Sequence, residues 1–307
     1  MSENVPVVIL AGGKGTRMRD FSARIPKAIV PIGKMAVIEH VMRIYSHHGF
    51  NDFVITLGYK GDSIKQYFQR EESEKEIFKG QQIVFVESGG RDDPYFNYAR
   101  NCNIGLRYAL RYKPRWIVLS NDDMYKIDEI QNLKKELGKL NRGGPQILFS
   151  ADSEVLLTKD SILSRLFYLV NKSYWRYYKL TKKFKVKYFT LSFDYNSFSS
   201  KFKKVYLNLT RKKIERFNLM GAFSVFRGDL KLLDKLFDET YINGVEDVDL
   251  SLLIKKEYRY AKLKYQCGSI GKGALGGGNA RSLRSLIGEA YLNYKLNKME
   301  LIVQDQY

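Results

Sequence analysis

Val7-Val8-Ile9-Leu10 runs without a break into Ala11-Gly12-Gly13-Lys14-Gly15-Thr16-Arg17, and Pro26-Lys27 follows. A short β-branched run bounded by glycine is the mark of a buried strand in a parallel sheet. The glycines that follow allow backbone N–H groups to close around an anion where a Cβ would intrude. Thr16, Arg17 and Lys27 add side-chain donors, so Gly12, Gly13, Gly15, Thr16, Arg17 and Lys27 are candidates for holding a nucleotide's phosphates. The rhythm then repeats. Further short apolar runs at Phe53 to Leu57, Ile83 to Val86, Trp116 to Leu119 and Ile147 to Phe149 read as strands. The segments between them, Ala36 to His47, Gly61 to Gln69, Tyr98 to Tyr112 and Ile127 to Leu140, carry helical patterns. Strand and helix in alternation predict an α/β fold with a mostly parallel nucleotide-binding sheet, right-handed crossovers and ligands at the carboxyl ends of the strands.

That edge also receives a cluster of acids. Ile117 to Leu119 ends in Asn121, Asp122 and Asp123. Charge at the end of a buried strand needs neutralising. Mg²⁺ or Mn²⁺ bridging the two carboxylates to a diphosphate would do so, which makes Asp122 and Asp123 candidate metal ligands. Helix capping ahead of Ile127 is the competing use. A second acidic group, Glu246, Asp247 and Asp249, precedes the apolar run from Leu250 and would equally well complement that helix's dipole.

The spacing G-G-x-G-T-R followed by P-K resembles the signature of the sugar-1-phosphate nucleotidyltransferases. Gly49-Phe50-Asn51-Asp52-Phe53 and Leu57-Gly58-Tyr59-Lys60-Gly61 look most like the cytidylyltransferase branch, and the likeness fades after Tyr67. A second resemblance begins downstream, to the family 2 glycosyltransferases. Asp122 and Asp123 match the metal-binding position of both families, with Asn121 where many members have an Asp. Val86 to Asp93, Asn101 to Ala109, Leu219 to Arg227, Phe237-Asp238-Glu239 and Gly244 to Ser251 look like the glycosyltransferase core, whose E-D-x-D-L-S element carries the base. Sugar transfer with inversion needs a carboxylate to take the acceptor hydroxyl's proton. The resemblance therefore implies Asp247 as base, Glu246 as runner-up and Asp249 as a helix cap. Two departures stand out. The E-x-x-K-P lysine of the nucleotidyltransferases is missing, and no histidine follows His48. The combined resemblance implies a metal-dependent GT-A-type glycosyltransferase, with a nucleotide sugar as donor and a saccharide or lipid-linked acceptor. The alternatives are a nucleotidyltransferase that makes a nucleotide sugar, and a non-catalytic protein on the same nucleotide-binding fold.

Charge singles out one more segment. The formal net charge is +19, and Arg165 to Arg216 holds most of the excess, interleaved with Tyr, Phe and Trp. Cations and rings together suit an anionic membrane surface, with nucleic acid as a lesser rival and a basic face over its own core as the plain reading. The expected layout is 1–150 as the nucleotide-binding half, 151–216 as a basic aromatic insertion, and 217–307 as the remainder of the same domain carrying the base. Cys102 and Cys267 form no C-x-x-C pair, which argues against a zinc site. His40, His47 and His48 fall on one predicted helix. No apolar run reaches membrane-spanning length and no signal peptide opens the chain, so the expected address is cytoplasmic, optionally peripheral at the inner face of the membrane.

Overall fold

The computed structural model describes residues 4–13, 25–72, 80–89, 97–124, 128–159, 187–194, 215–242, 244–263 and 279–304. Four strands form the parallel half of one sheet: β1 (Val7–Leu10), β4 (Asp52–Leu57), β5 (Gln82–Glu87) and β6 (Trp116–Asn121). A small hairpin, β2 (Pro31–Ile32) with β3 (Met35–Ala36), precedes α1 (Val37–His47). Helix α2 (Gly61–Glu72) links β4 to β5, and α3 (Tyr98–Ala109), prolonged by a 3₁₀ turn to Tyr112, links β5 to β6. After α4 (Leu133–Lys139) come β7 (Ile147–Lys159), β8 (Tyr188–Asp194), β9 (Glu215–Arg227), α5 (Glu246–Glu257), β10 (Tyr260–Lys262) and α6 (Asn279–Gln304).

The sheet has eight strands in the order β10-β7-β9-β6-β1-β4-β5, with β8 pairing β7 off this path. Only β8 and β9 run against the others. The mostly parallel α/β class read from the sequence is therefore the one observed. The expected boundaries at 150 and 216 fall inside β7 and β9, so the sheet passes through them unbroken. Register fixes the functional edge: Leu10 lies beside Asn121 and Thr56, and the backbone N–H of Tyr59 donates to Gly12 O at 3.1 Å. The glycine-rich turn, the Leu57–Gly58 turn and Asp122–Asp123 thus emerge together at the carboxyl edge.

Both sheet faces are covered, which explains why these strands read as continuous apolar runs. On one face Ile9, Phe53 and Val118 pack with Ile38, Met42, Ile64, Phe68 and Leu133. On the other, Val8, Val54 and Ile117 pack with Leu106, Phe237, Leu250 and Ile254. Helix α3 lies so close that a Cβ built on Gly105 would stand 2.4 Å from Val8 Cγ1 and 2.8 Å from Thr56 Cγ2. A third cluster, Leu157, Tyr188, Val248, Leu252, Leu292 and Leu296, docks α5 and α6 on the far end of β7 and the start of β8. Among the described residues no helix is long and apolar enough to cross a membrane.

Candidate functional site

Lys27 sits in a single 3₁₀ turn, Lys27–Ile29, anchored by the buried Ala28. Val37 N–H closes onto Val30 O at 3.0 Å, which brings this segment back to the start of α1. Below it, the fully buried Glu39 accepts from Tyr67 Oη at 2.8 Å and from Arg43 at 3.1 Å, tying α1 to α2. This scaffold holds Lys27 Nζ 2.8 Å from Asp122 Oδ1 and 2.7 Å from Asp123 Oδ2. Both acids are buried. Burial pulls the Lys27 ammonium down, but the two carboxylates outweigh it and its pKa lies above the ordinary value. Burial raises Asp122, and Asp123 adds to that through repulsion while Lys27 opposes it. Asp122 and Asp123 thus each give one carboxylate oxygen to Lys27. They form an anionic pair with a lysine as counter-ion.

One acceptor is left over. Asp123 Oδ1 is buried and has no hydrogen-bond partner among the described residues. An orphaned carboxylate oxygen is costly unless a cation or water reaches it, and hard oxygen donors next to a phosphate grip are what Mg²⁺ prefers. These residues fit such an ion. Gly12 and Gly13 lie at this edge, whereas Gly15, Thr16 and Arg17 lie outside the described residues. Gly13 has no positive φ, and among the described residues no atom lies within 4 Å of a Cβ placed on it.

The second acidic group has a different setting. Glu246 and Asp247 open α5 after Val245, whose φ of 74° is left-handed and strained for a β-branched residue. Asp247 Oδ1 accepts from Val248 N–H at 2.9 Å. Burial, then repulsion from Asp247, pushes Glu246 up to about 7, and burial raises Asp247 as well. Their charge reaches α3, where Tyr98 and Cys102 hydrogen-bond to each other and both titrate well above their usual values, mainly through burial. Cys102 is thus the small buried residue expected. No hydrogen bond or ion pair among the described residues joins Glu246 or Asp247 to Asp122, Asp123 or Lys27. The expected cap Asp249 instead pairs with Lys295 of α6 at 2.5 Å, and Lys295 also holds Asp238 at 3.0 Å.

Two motifs that suggested a glycosyltransferase core meet in a purely structural contact. Asn103 donates to Phe237 O at 2.8 Å and to Glu239 Oε1 at 2.9 Å, and accepts from Phe237 N–H at 3.1 Å. Asn97 adds a bond to Glu239 O at 2.9 Å. The asparagines of α3 and the F-D-E segment clamp the helix to the chain that leads into α5. Sequence reasoning also missed α6 and its Asn293, which accepts from Lys187 and Tyr188 N–H at 3.0 and 2.8 Å and donates to Tyr188 O at 3.0 Å. A buried asparagine among leucines is the only signal that could have shown it. Most of the basic aromatic segment lies outside the described residues, and so do the membrane and nucleic-acid expectations placed on it.

Comparison with known proteins bears on this geometry. Residues 6–152 match the family model described as "Nucleotidyl transferase". A probable glucose-1-phosphate cytidylyltransferase of Bacillus subtilis is 51% identical over 61 residues, covering 20% of this chain and 24% of its own. The D-glycero-alpha-D-manno-heptose 1-phosphate guanylyltransferase of Campylobacter jejuni is 24% identical over 198 residues, covering 58% and 80%. The crystal structure of HddC from Yersinia pseudotuberculosis matches with a TM-score of 0.48 at 16% identity, covering 87% and 93%. The match thus spans about a quarter of the cytidylyltransferase it resembles. The family match and the two sequence relatives favour the nucleotidyltransferase alternative over the glycosyltransferase reading. Residues 6–152 are thus similar to nucleotidyl transferases, and the two relatives are named for transfer to glucose 1-phosphate and to a heptose 1-phosphate.

Proposed function

We propose that the chain is a sugar-1-phosphate nucleotidyltransferase that uses CTP. The observation that carries this reading is the contact of Lys27 with both Asp122 and Asp123 at the carboxyl edge, beside Gly12 and Gly13. In the reaction a phosphate oxygen of the sugar phosphate bonds to the α-phosphorus of the triphosphate. The α–β P–O bond breaks and pyrophosphate leaves. Such transfers rest on positioning and charge neutralisation rather than on covalent help from the protein. The turn that begins at Gly12–Gly13 would receive the phosphates, and Lys27 would donate to their oxygens. Asp122 and Asp123 would hold Mg²⁺ or Mn²⁺, which when bound offsets the charge gathering on the triphosphate.

The reading also relieves Asp247 of a task. A sugar-1-phosphate has a second pKa of about 6, so its attacking oxygen is already free of a proton at neutral pH and needs no base. That agrees with Asp247 accepting a backbone N–H and with Glu246 resting against α3. The choice of CTP rests on the likeness to the cytidylyltransferase.

The test is pyrophosphate release, with the nucleotide sugar followed by mass spectrometry, from CTP, UTP, GTP or dTTP with glucose 1-phosphate and Mg²⁺. Stoichiometric pyrophosphate and nucleotide sugar, fastest with CTP, is the expected result. No pyrophosphate from any pair, or a nucleoside diphosphate released from a nucleotide sugar in the presence of an acceptor, would overturn it.

A further inference from the structure

We propose that Lys27 is a displaceable internal cation: it occupies the Asp122–Asp123 pair until a divalent metal arrives, and only then turns to phosphate. The inference rests on the function proposed above for what the phosphate belongs to, but its physical basis is local. Two buried carboxylates share one cation among the described residues, the Lys27 ammonium, 2.8 and 2.7 Å away. Its side chain retains 23% exposure, so it is packed at the mouth of the site rather than locked beneath it. A metal ion about 2.1 Å from Asp122 Oδ1 would stand within about 5 Å of an ammonium that is 2.8 Å from the same oxygen. Like charges that close in a buried setting repel strongly. The metal therefore weakens the hold on Lys27, and the amine needs a new acceptor. Phosphate oxygens delivered at Gly12–Gly13 provide one. Conversely, phosphate that draws Lys27 away exposes the pair to metal. Metal and phosphate binding are thus coupled through one side chain, and linkage makes the effect reciprocal. The orphaned Asp123 Oδ1 marks where the incoming ion finds a donor that Lys27 leaves unused.

A lysine that only grips phosphate predicts something different, because its removal would leave nucleotide-free metal binding unchanged. Lys27→Met keeps the length and apolar stem of the side chain and removes the charge. Mn²⁺ alone, titrated by electron paramagnetic resonance with no nucleotide present, should bind folded Lys27→Met on the order of tenfold more tightly than the wild type, within the range usual for coupled sites. Equal or weaker binding overturns the proposal. If the variant does not fold, the wild type decides. Lysine acylation followed by peptide mass spectrometry should show Mg²⁺ speeding modification of Lys27 relative to the exposed Lys34, and an unchanged ratio overturns the proposal. A protein in which Mg²⁺ frees Lys27 but which makes no nucleotide sugar would sink the proposed function alone. An active enzyme whose Lys27 does not respond to metal would sink the displacement alone.

Discussion

Glu246→Gln should make the protein more stable at alkaline pH, and the size of the gain follows from where the carboxyl sits. Glu246 opens α5 against α3, faced by Asp247 on its own helix and by Tyr98 and Cys102 across the contact. No cation partner is seen among the described residues, and its Oε2 is buried without a hydrogen bond. Burial and the neighbouring Asp247 carry its pKa from 4.5 to about 7. Between those values the native chain holds a proton that the unfolded chain has released. Stability therefore falls as pH rises through that window and is lowest above pH 7. At about 1.4 kcal/mol per unit, the full loss is about 3 kcal/mol. Glutamine keeps the shape and cannot ionise. Urea denaturation followed by circular dichroism at pH 5, 6, 7 and 8 should give variant and wild-type curves that converge near pH 5, with the variant ahead by up to about 3 kcal/mol at pH 8. Parallel profiles, or a variant that loses ground as pH rises, would refute the claim that this carboxyl is held protonated by its surroundings.

Other perturbations follow from the same geometry. Asp123→Asn should leave a folded protein whose nucleotidyl transfer drops about a hundredfold or more, since several kcal/mol of charge stabilisation is lost; steady-state pyrophosphate release measures it. Gly105→Ala places a Cβ 2.4 Å from Val8 and should destabilise by about 1–3 kcal/mol through overpacking, read as a lower melting temperature. Asn293→Ala strips the bonds to Lys187 and Tyr188 and should cost about 1–3 kcal/mol, with faster proteolysis near the start of β8 as its local sign.

Much of the sheet could be read before any coordinates, because a strand buried on both faces has little freedom in composition. Val7 to Leu10 and Trp116 to Leu119 are apolar throughout and Phe53 to Leu57 is apolar but for Thr56, and each is a strand within a residue or two of its expected ends. The shared carboxyl edge followed from that order and is seen in the Leu10–Asn121 register. What could not be read is whatever depends on distant partners. Helix α6 hides because its exposed Ile287 and Tyr294 and its buried Glu289 and Asn293 scramble the apolar stripe. β8 does alternate, Phe189-Thr190-Leu191-Ser192-Phe193-Asp194, but the charge and rings of the surrounding segment obscure it, and it takes its place from pairing with β7 and from Asn293. Lys27 was legible as a cation of the site, but its pairing with two acids ninety-odd residues away was not.

Two acids of the downstream motif, Asp238 and Asp249, serve architecture. Asp238 accepts from Tyr291 Oη and from Lys295 at 3.0 Å each, and Asp249 takes the same lysine. Together they fasten α6 across the start of α5. Gly288 completes the contact, since a Cβ there would stand 2.3 Å from Gly244 O, so the helix backbone lies directly on the turn that strains Val245. A helix start held this firmly can keep Glu246 and Asp247 buried against α3, even though burial raises the pKa of each. A base would need the opposite: access to the acceptor and a proton route. The acids at the other end of the argument, Asp122 and Asp123, meet a cation at the sheet's carboxyl edge and retain an unused oxygen. Charge neutralised by one partly exposed lysine at the mouth of a site is more readily exchanged than charge neutralised within a helix clamp. That criterion is why we propose the reactive centre at Asp122 and Asp123 rather than at Asp247 or Glu246.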